Sequence, residues 1–234
     1  MRRALATVSI CLAAALGACG DDEKDDQAQE APATTQTAPE PTQTEPPTQA
    51  GGGCKEVDEP TSAERKAKKP KGELDAGKTY RLTFATNCGE FTIELDQKAA
   101  PKTAASLVSL AESKFFDGTA FHRIVPGFVI QGGDPTASGG GGPGYSTVDK
   151  PPADARYTKG VVAMAKTQQE APGTGGSQFF VVVGADAGLP PDYAVVGEVS
   201  KGMEVVERIG QQGDPATEAP LQAVVIEKVT VEES

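Results

Sequence analysis

Within Phe121–Asp134 the chain gathers Arg123, Phe128, Gln131 and its single histidine, His122. A guanidinium is always charged and presents its N–H groups in a rigid fork. An amide both donates and accepts, and apolar rings beside the two keep water away. Such a set can orient and hydrogen bond a polar group in an apolar cleft. His122 invites a hydrolytic reading, but no Gly-x-Ser-x-Gly elbow accompanies it. As the strand neighbour of Arg123 it points the opposite way, toward a backbone hydrogen bond or the interior, and a structural role is expected. The glycine-rich stretches 139–142 and 173–176 lack the Lys-Ser/Thr that would make them phosphate cradles.

The elements that must position these residues follow from local patterns. Pro126-Gly127 is a turn signal between strand-like Phe121–Val125 and Phe128–Gln131. Alternation puts Arg123 and Val125 on one face, and Val129 and Gln131 together on the return. Thr79–Thr86 and Glu90–Leu95 read as a hairpin around Asn87-Cys88-Gly89. Pro101 opens a helix whose Ala104, Leu107, Val108 and Ala111 share one face up to about Ser113. Short strands are expected at Val161–Ala165, Gln178–Val183, Ala194–Val199 and Gln222–Val231, with a second helix over Gly202–Ile209. Short strands, two helices and no βαβ alternation predict a mainly β, closed antiparallel barrel.

The string Phe121–Asp134 closely resembles the signature of the cyclophilin family of peptidyl-prolyl cis-trans isomerases. Gly176-Ser-Gln-Phe-Phe180 resembles that family's other hallmark, and the likeness runs in matching order over about residues 78–232. It implies a closed eight-stranded antiparallel barrel capped by two helices, acting on Xaa-Pro bonds without cofactor or metal. Residue by residue, it implies Arg123 as the catalytic donor to the prolyl nitrogen and Gln131 as its positioning partner. Phe128, Val129, Phe180 and Leu189 become the proline pocket, with Val129 where Met is more common. Main chain at Ala165 and Thr167 borders the groove for residues before proline, and Lys166 alters the Ala-Asn-Ala often seen there. Tyr193 stands where many members have His, and Gly188 where cyclosporin-sensitive members have Trp, a residue this chain lacks. The partners implied are unfolded or flexible Pro-containing polypeptides. A non-catalytic binding module or chaperone for such segments is the alternative; the intact Arg123, Phe128, Gln131 and Phe180 set favours the enzyme.

Composition bounds the rest. The net charge of −11 argues against nucleic-acid partners. Residues 1–18 read as a signal peptide: Arg2-Arg3, an apolar stretch too short to span a bilayer, then Leu16-Gly17-Ala18-Cys19. That ending resembles the lipobox of bacterial lipoproteins, which implies a lipid on Cys19. The expected location is the outer face of the cytoplasmic membrane, or elsewhere in the cell envelope. Residues 19–72 are acidic and rich in Pro and Thr, and are expected to form a disordered tether. Lys66–Lys71 is expected to be its solvated end, ahead of a monomeric domain over 73–234. Cys11 lies in the leader and Cys19 takes the lipid, leaving Cys54 and Cys88 to pair in an oxidising compartment. The competing reading makes Cys88 a small buried hydrophobe and Cys54 a free thiol.

Overall fold

Phe84 and Phe91 face each other across the first hairpin, their rings stacked with centroids 5.1 Å apart. Such a pair adds about 0.5–1.5 kcal/mol to the burial of its area, and both rings belong to the main apolar core. In the computed structural model, which describes residues 53–234, these residues lie in one compact unit. The expected signal peptide, Cys19 and the tether up to residue 52 lie outside the described residues.

The strands are β1 (Tyr80–Thr86), β2 (Gly89–Leu95), β3 (Thr119–Ala120), β4 (Arg123–Val125), β5 (Val129–Gly132), β6 (Thr147–Val148), β7 (Val161–Met164), β8 (Thr174–Gly175), β9 (Phe179–Val182), β10 (Val195–Lys201) and β11 (Val225–Glu233). The helices are α1 (Pro101–Glu112) and α2 (Met203–Gly210). Nine strands form one curled antiparallel sheet in the order β3-β11-β1-β2-β10-β7-β9-β5-β4, and β6 pairs with β8 apart from it. The expected architecture thus holds in its coarse form, mainly β with two helices, but the ladders link nine strands rather than eight. The edge strands β3 and β4 do not pair with each other; an isolated bridge joins Ala120 to Asp134, just past β5. The strands unforeseen in the sequence, β3, β6 and β8, have two residues each, too few to show alternation.

Both helices cover the interior with apolar faces. Pro101 occupies the first turn of α1, and Ala100 provides no side-chain cap. Asp149 supplies one from afar: its Oδ2 accepts from the Thr103 amide at 2.7 Å and from Thr103 Oγ1 at 2.6 Å. Helix α2 follows the left-handed Gly202 and buries Val205, Val206 and Ile209.

The domain begins earlier than the composition suggested. Residues 53–72, expected to be loose tether, carry no helix or strand yet run as a strap along the domain. A disulfide joins Cys54 to Cys88. The Lys55 amide donates to Asn87 O, Ala63 to Pro135 O, and Ala67 to Pro143 O. Arg65 donates to the Phe115 and Asp117 carbonyls at 2.6 and 2.8 Å. Few apolar residues are needed, because the strap is held by hydrogen bonds to loops and by one covalent link.

Candidate active site

The strands that enclose the core present their other face to a second, smaller cluster. On β5, Ile130 points into the main core, while Val129 packs outside with Phe180, Val182, Ala163 and Tyr157. Phe128, Ala165, Leu189 and Tyr193 flank this outer group. Antiparallel registry lines up Arg123 with Gln131, Gln131 with Phe180, and Phe180 with Ala163. A guanidinium, an amide and a buried ring thus stand side by side on three adjacent strands. Cross-strand neighbours at about 4.5–5.5 Å are close enough to act on one ligand.

Arg123 is held from two sides. Its Nε donates to Glu218 Oε2 at 2.6 Å, and Nη1 reaches Gln131 Oε1 at 3.4 Å. Guanidinium has five N–H donors, so most of the fork stays available. Gln131 Nε2 donates to Gln178 Oε1 at 3.1 Å, and Gln178 Nε2 in turn donates to the Gly139 and Gly141 carbonyls at 2.9 Å each. These bonds orient both amides and tie the first motif to the second. Ser177 Oγ adds a bond to Gly133 O at 2.7 Å, at a point where a Cβ on Gly133 would lie 2.3 Å from Ser177 O. Only glycine fits that approach.

The aromatic part of the site is a triangle. Phe180 and Tyr193 meet edge to face at 5.5 Å, Tyr157 and Tyr193 likewise at 5.9 Å, and Tyr157 lies 6.3 Å from Phe180. The Tyr157 hydroxyl donates to Tyr193 O at 2.8 Å and accepts from the Tyr193 amide at 3.0 Å. Burial pushes the Tyr157 hydroxyl pKa up, so it remains a neutral donor. Lys166 Nζ sits 5.4 Å from the centre of the Tyr193 ring. Phe179 points into the main core beside Phe84 and Phe116, as alternation requires.

Of the residues singled out in the sequence, Phe128, Val129, Ala165, Phe180, Leu189 and Tyr193 share this outer cluster. Arg123 and Gln131 stand at its edge by registry with Phe180. Thr167 is exposed and outside that cluster but lines one cavity with Gln131 and Ala165, and its amide and hydroxyl both donate to Glu170 Oε2, at 2.7 and 3.0 Å. The Ala165 amide donates to Gln178 O at 2.9 Å. Both amides are thus engaged within the chain, which leaves the main-chain role expected of these residues to their carbonyl groups. Gly188 has φ +61° and open space around it.

His122 turns toward the interior, the second of the two placements expected of it. Both ring nitrogens are buried without a hydrogen bond among the described residues. Burial lowers its pKa, outweighing the opposing pull of Asp134. Burial would raise the Asp134 carboxyl, but bonds from Thr136 Oγ1, the Thr136 amide and the Gly141 amide hold its pKa below the usual range. Glu218 and Tyr157 escaped the sequence reading. Glu218 reaches Arg123 across 95 positions from a loop, and Tyr157 is an isolated aromatic between strands. No local pattern marks either.

The comparisons with known proteins agree with this geometry. The family described as "Cyclophilin type peptidyl-prolyl cis-trans isomerase/CLD" matches residues 81–231. Peptidyl-prolyl cis-trans isomerase A of Mycobacterium tuberculosis is 38% identical over 171 residues, covering 65% of this chain and 92% of the relative. Peptidyl-prolyl cis-trans isomerase B of Streptomyces anulatus is 40% identical over 169 residues, covering 64% and 95%. A crystal structure of a cyclophilin-type isomerase from Cryptosporidium parvum superposes with a TM-score of 0.61 at 28% identity, covering 66% of this chain and 98% of that one. Another structure of that protein was determined in the presence of the dipeptide Ala-Pro, with a TM-score of 0.60. The chain belongs to the cyclophilin-type peptidyl-prolyl cis-trans isomerases.

Proposed function

We propose that the chain accelerates Xaa-Pro rotation in exported polypeptides, with Arg123 as the catalytic donor and the Phe180 cluster as the proline pocket. Rotation is slow because amide resonance sets a barrier of about 18–20 kcal/mol. At the top of that barrier the amide is twisted, and its nitrogen has become pyramidal and regained a lone pair. An N–H aimed at the nitrogen then gains a hydrogen bond that the planar amide cannot offer. Binding that exists only in the transition state is what raises the rate.

The observation that carries this reading is the row Arg123, Gln131, Phe180. A proline ring against Phe180, Val129, Phe128 and Leu189 would present its nitrogen toward Arg123. Gln131 would hold the adjoining carbonyl or the guanidinium itself. No bond to carbon is made or broken, so the site has no need of a nucleophile. The test is a protease-coupled isomerisation assay on a short Xaa-Pro peptide. Acceleration that disappears in Arg123→Ala is expected; equal rates with and without wild-type protein would reject the proposal.

Export and anchoring through Cys19 form the second part of the proposal. Supporting it are the leader-like N-terminus and the Cys54–Cys88 disulfide, a bond that persists in oxidising compartments. Clients would then be newly exported chains folding at the membrane. Wild-type protein is expected to partition with membranes, and Cys19→Ala to remain soluble or unprocessed. Wild-type protein found wholly in the soluble fraction would argue against the anchor.

A further inference from the structure

We infer that a basic face, shared by the strap and the turn after α1, docks the domain on anionic phospholipid headgroups. This rests on the export and anchoring reading above, which supplies the membrane. A recess of about 710 Å³ opens between the strap and the C-terminal end of α1. Arg65, Lys66 and Lys68 line it from the strap, and Lys114 and Asp117 from the turn. Four cations thus meet a single anion, in a chain whose net charge is −11. Glu64, Glu73 and Glu112, the acids next to these segments in sequence, line no part of the recess. Even with Arg65 set against Asp117, three lysines remain.

A loose basic run would present no face, but this one is fixed to the domain. Arg65 donates to the carbonyls of Phe115 and Asp117, both of which line the recess, so the guanidinium charge stays beside it. The Ala67 amide donates to Pro143 O at 2.9 Å, and Lys69 Nζ to Ser146 O at 2.7 Å. Lys66, Lys68 and Lys114 are exposed, and among the described residues none of them has an ion-pair partner. Lys114 follows the C-cap of α1 with φ +58°. Glycine is the least strained residue at such a position. A lysine stands there instead and brings a cation to the recess from a second element.

The chemistry of this face suits a bilayer surface. Exposed lysines on flexible stems gain from a broad array of phosphates without needing one fixed geometry, and clustered basic residues bind anionic leaflets in this way. Cys19 lies far enough ahead of Cys54 in sequence for a chain of that length to span roughly 30 Å. That reach lets the domain touch the surface that would hold its anchor. Arg65 and Lys66 also line the cavity bordered by Gln131, Ala165 and Thr167. The recess and that cavity therefore flank the same stretch of strap. Docking through the recess would keep the substrate groove beside the membrane, where exported chains emerge.

The experiment measures how the full chain with Cys19→Ala, which can carry no lipid, partitions onto vesicles. One set is pure phosphatidylcholine and the other contains phosphatidylglycerol as well. At about 0.15 M salt the anionic vesicles should bind more protein, and about 1 M salt should remove the difference. Each lysine near an anionic surface contributes about fivefold. Lys68→Gln alone should therefore lower anionic binding about fivefold, and Lys66→Gln, Lys68→Gln and Lys114→Gln together about 100-fold. Lys98→Gln, Lys150→Gln and Lys201→Gln change the net charge equally at exposed sites outside the recess, and should have little effect. Isomerisation of a short Xaa-Pro peptide should stay at the parental rate in every variant, which reports that each is folded. Anionic binding that survives the recess substitutions, or that both triple variants lose alike, would overturn the inference. So would a parent that ignores anionic vesicles yet binds polyglutamate through the recess, which would assign the face to acidic proteins. Because no lipid is present, these outcomes leave the Cys19 anchor untouched; its own failure would appear as wild-type protein in the soluble fraction.

Discussion

The two faces of one sheet do opposite work in this molecule. The inner face is a continuous apolar core, including Phe84, Phe91, Ile124, Ile130 and Phe179, all buried. The outer face of the same strands carries Arg123, Val129, Gln131, Ala163 and Phe180. Neighbours in sequence are divided between them: Phe179 inside and Phe180 outside, Ile130 inside and Gln131 outside. Because the strand period is two, a slip of one residue would exchange core for site. The packing of the interior therefore sets the register of the proposed catalytic row, and the Glu218 and Gln178 bonds orient its polar side chains.

The sharpest way to break the comparison is to truncate each of the paired rings. Phe179→Ala empties a position packed by Phe84, Phe116 and Phe121. It should cost about 3–5 kcal/mol of stability in a denaturant titration. Phe180→Ala, in the smaller outer cluster, should fall at the low end of that range and also raise KM for Xaa-Pro peptides. Equal stability losses with no change in KM would mean that the outer ring is mere packing.

Arg123→Ala should do the reverse, with an effect on activity and almost none on folding. Its side chain is 36% exposed and its ion pair with Glu218 is solvated, so stability should change by no more than about 0.5 kcal/mol. Loss of the bond to the prolyl nitrogen should lower kcat/KM about 100-fold, or about 2.7 kcal/mol. A variant with the wild-type rate would show that the guanidinium does not take part.

The inner face was far more legible in the sequence than the outer one. Alternation along 80–86 and 90–95 identifies strands, and helical spacing identifies α1, because burial repeats with the period of the backbone; 179–182 shows instead as a short continuous apolar run. Residue types and alternation marked Arg123 and Gln131 as a candidate site, but their proposed roles and the place of Phe180 beside them came only through resemblance. What stayed hidden depends on contacts distant in sequence. Asp149 caps α1 from 46 positions away, and Glu218 holds Arg123 from 95. The strap looked disordered because it has few apolar side chains, yet hydrogen bonds and a disulfide hold it to the domain.

Glu218 offers a smaller and finer test. It touches no substrate in the proposed mechanism and acts by aiming the Arg123 fork, as a positioning residue. Glu218→Gln keeps size and hydrogen bonding but removes the charge. Half-exposed ion pairs contribute little, so kcat should fall only about two- to fivefold, with KM nearly unchanged. A rise in KM at constant kcat would mean that Glu218 contributes to binding and does not orient the arginine.

The two faces should also differ in their response to pH. His122 adjoins Arg123 in sequence, but its ring nitrogens are buried and unpartnered. Burial depresses its pKa below the unfolded value of about 6.5. The folded protein thus resists a proton that the unfolded chain accepts. Stability from this group is complete above about pH 6.5 and is lost as pH falls toward and through the lower folded value. Asp134, also depressed, acts in the same direction but only below its own unfolded value of about 3.9. Denaturant midpoints measured between pH 7.5 and about pH 5 therefore isolate the histidine. Wild type should lose stability across that interval, and His122→Gln should lose less. Arg123 stays charged throughout, so kcat/KM of the folded enzyme should remain level over the same range. A rate that declined in step with stability would place His122 in the catalytic machinery and erase the division between the two faces.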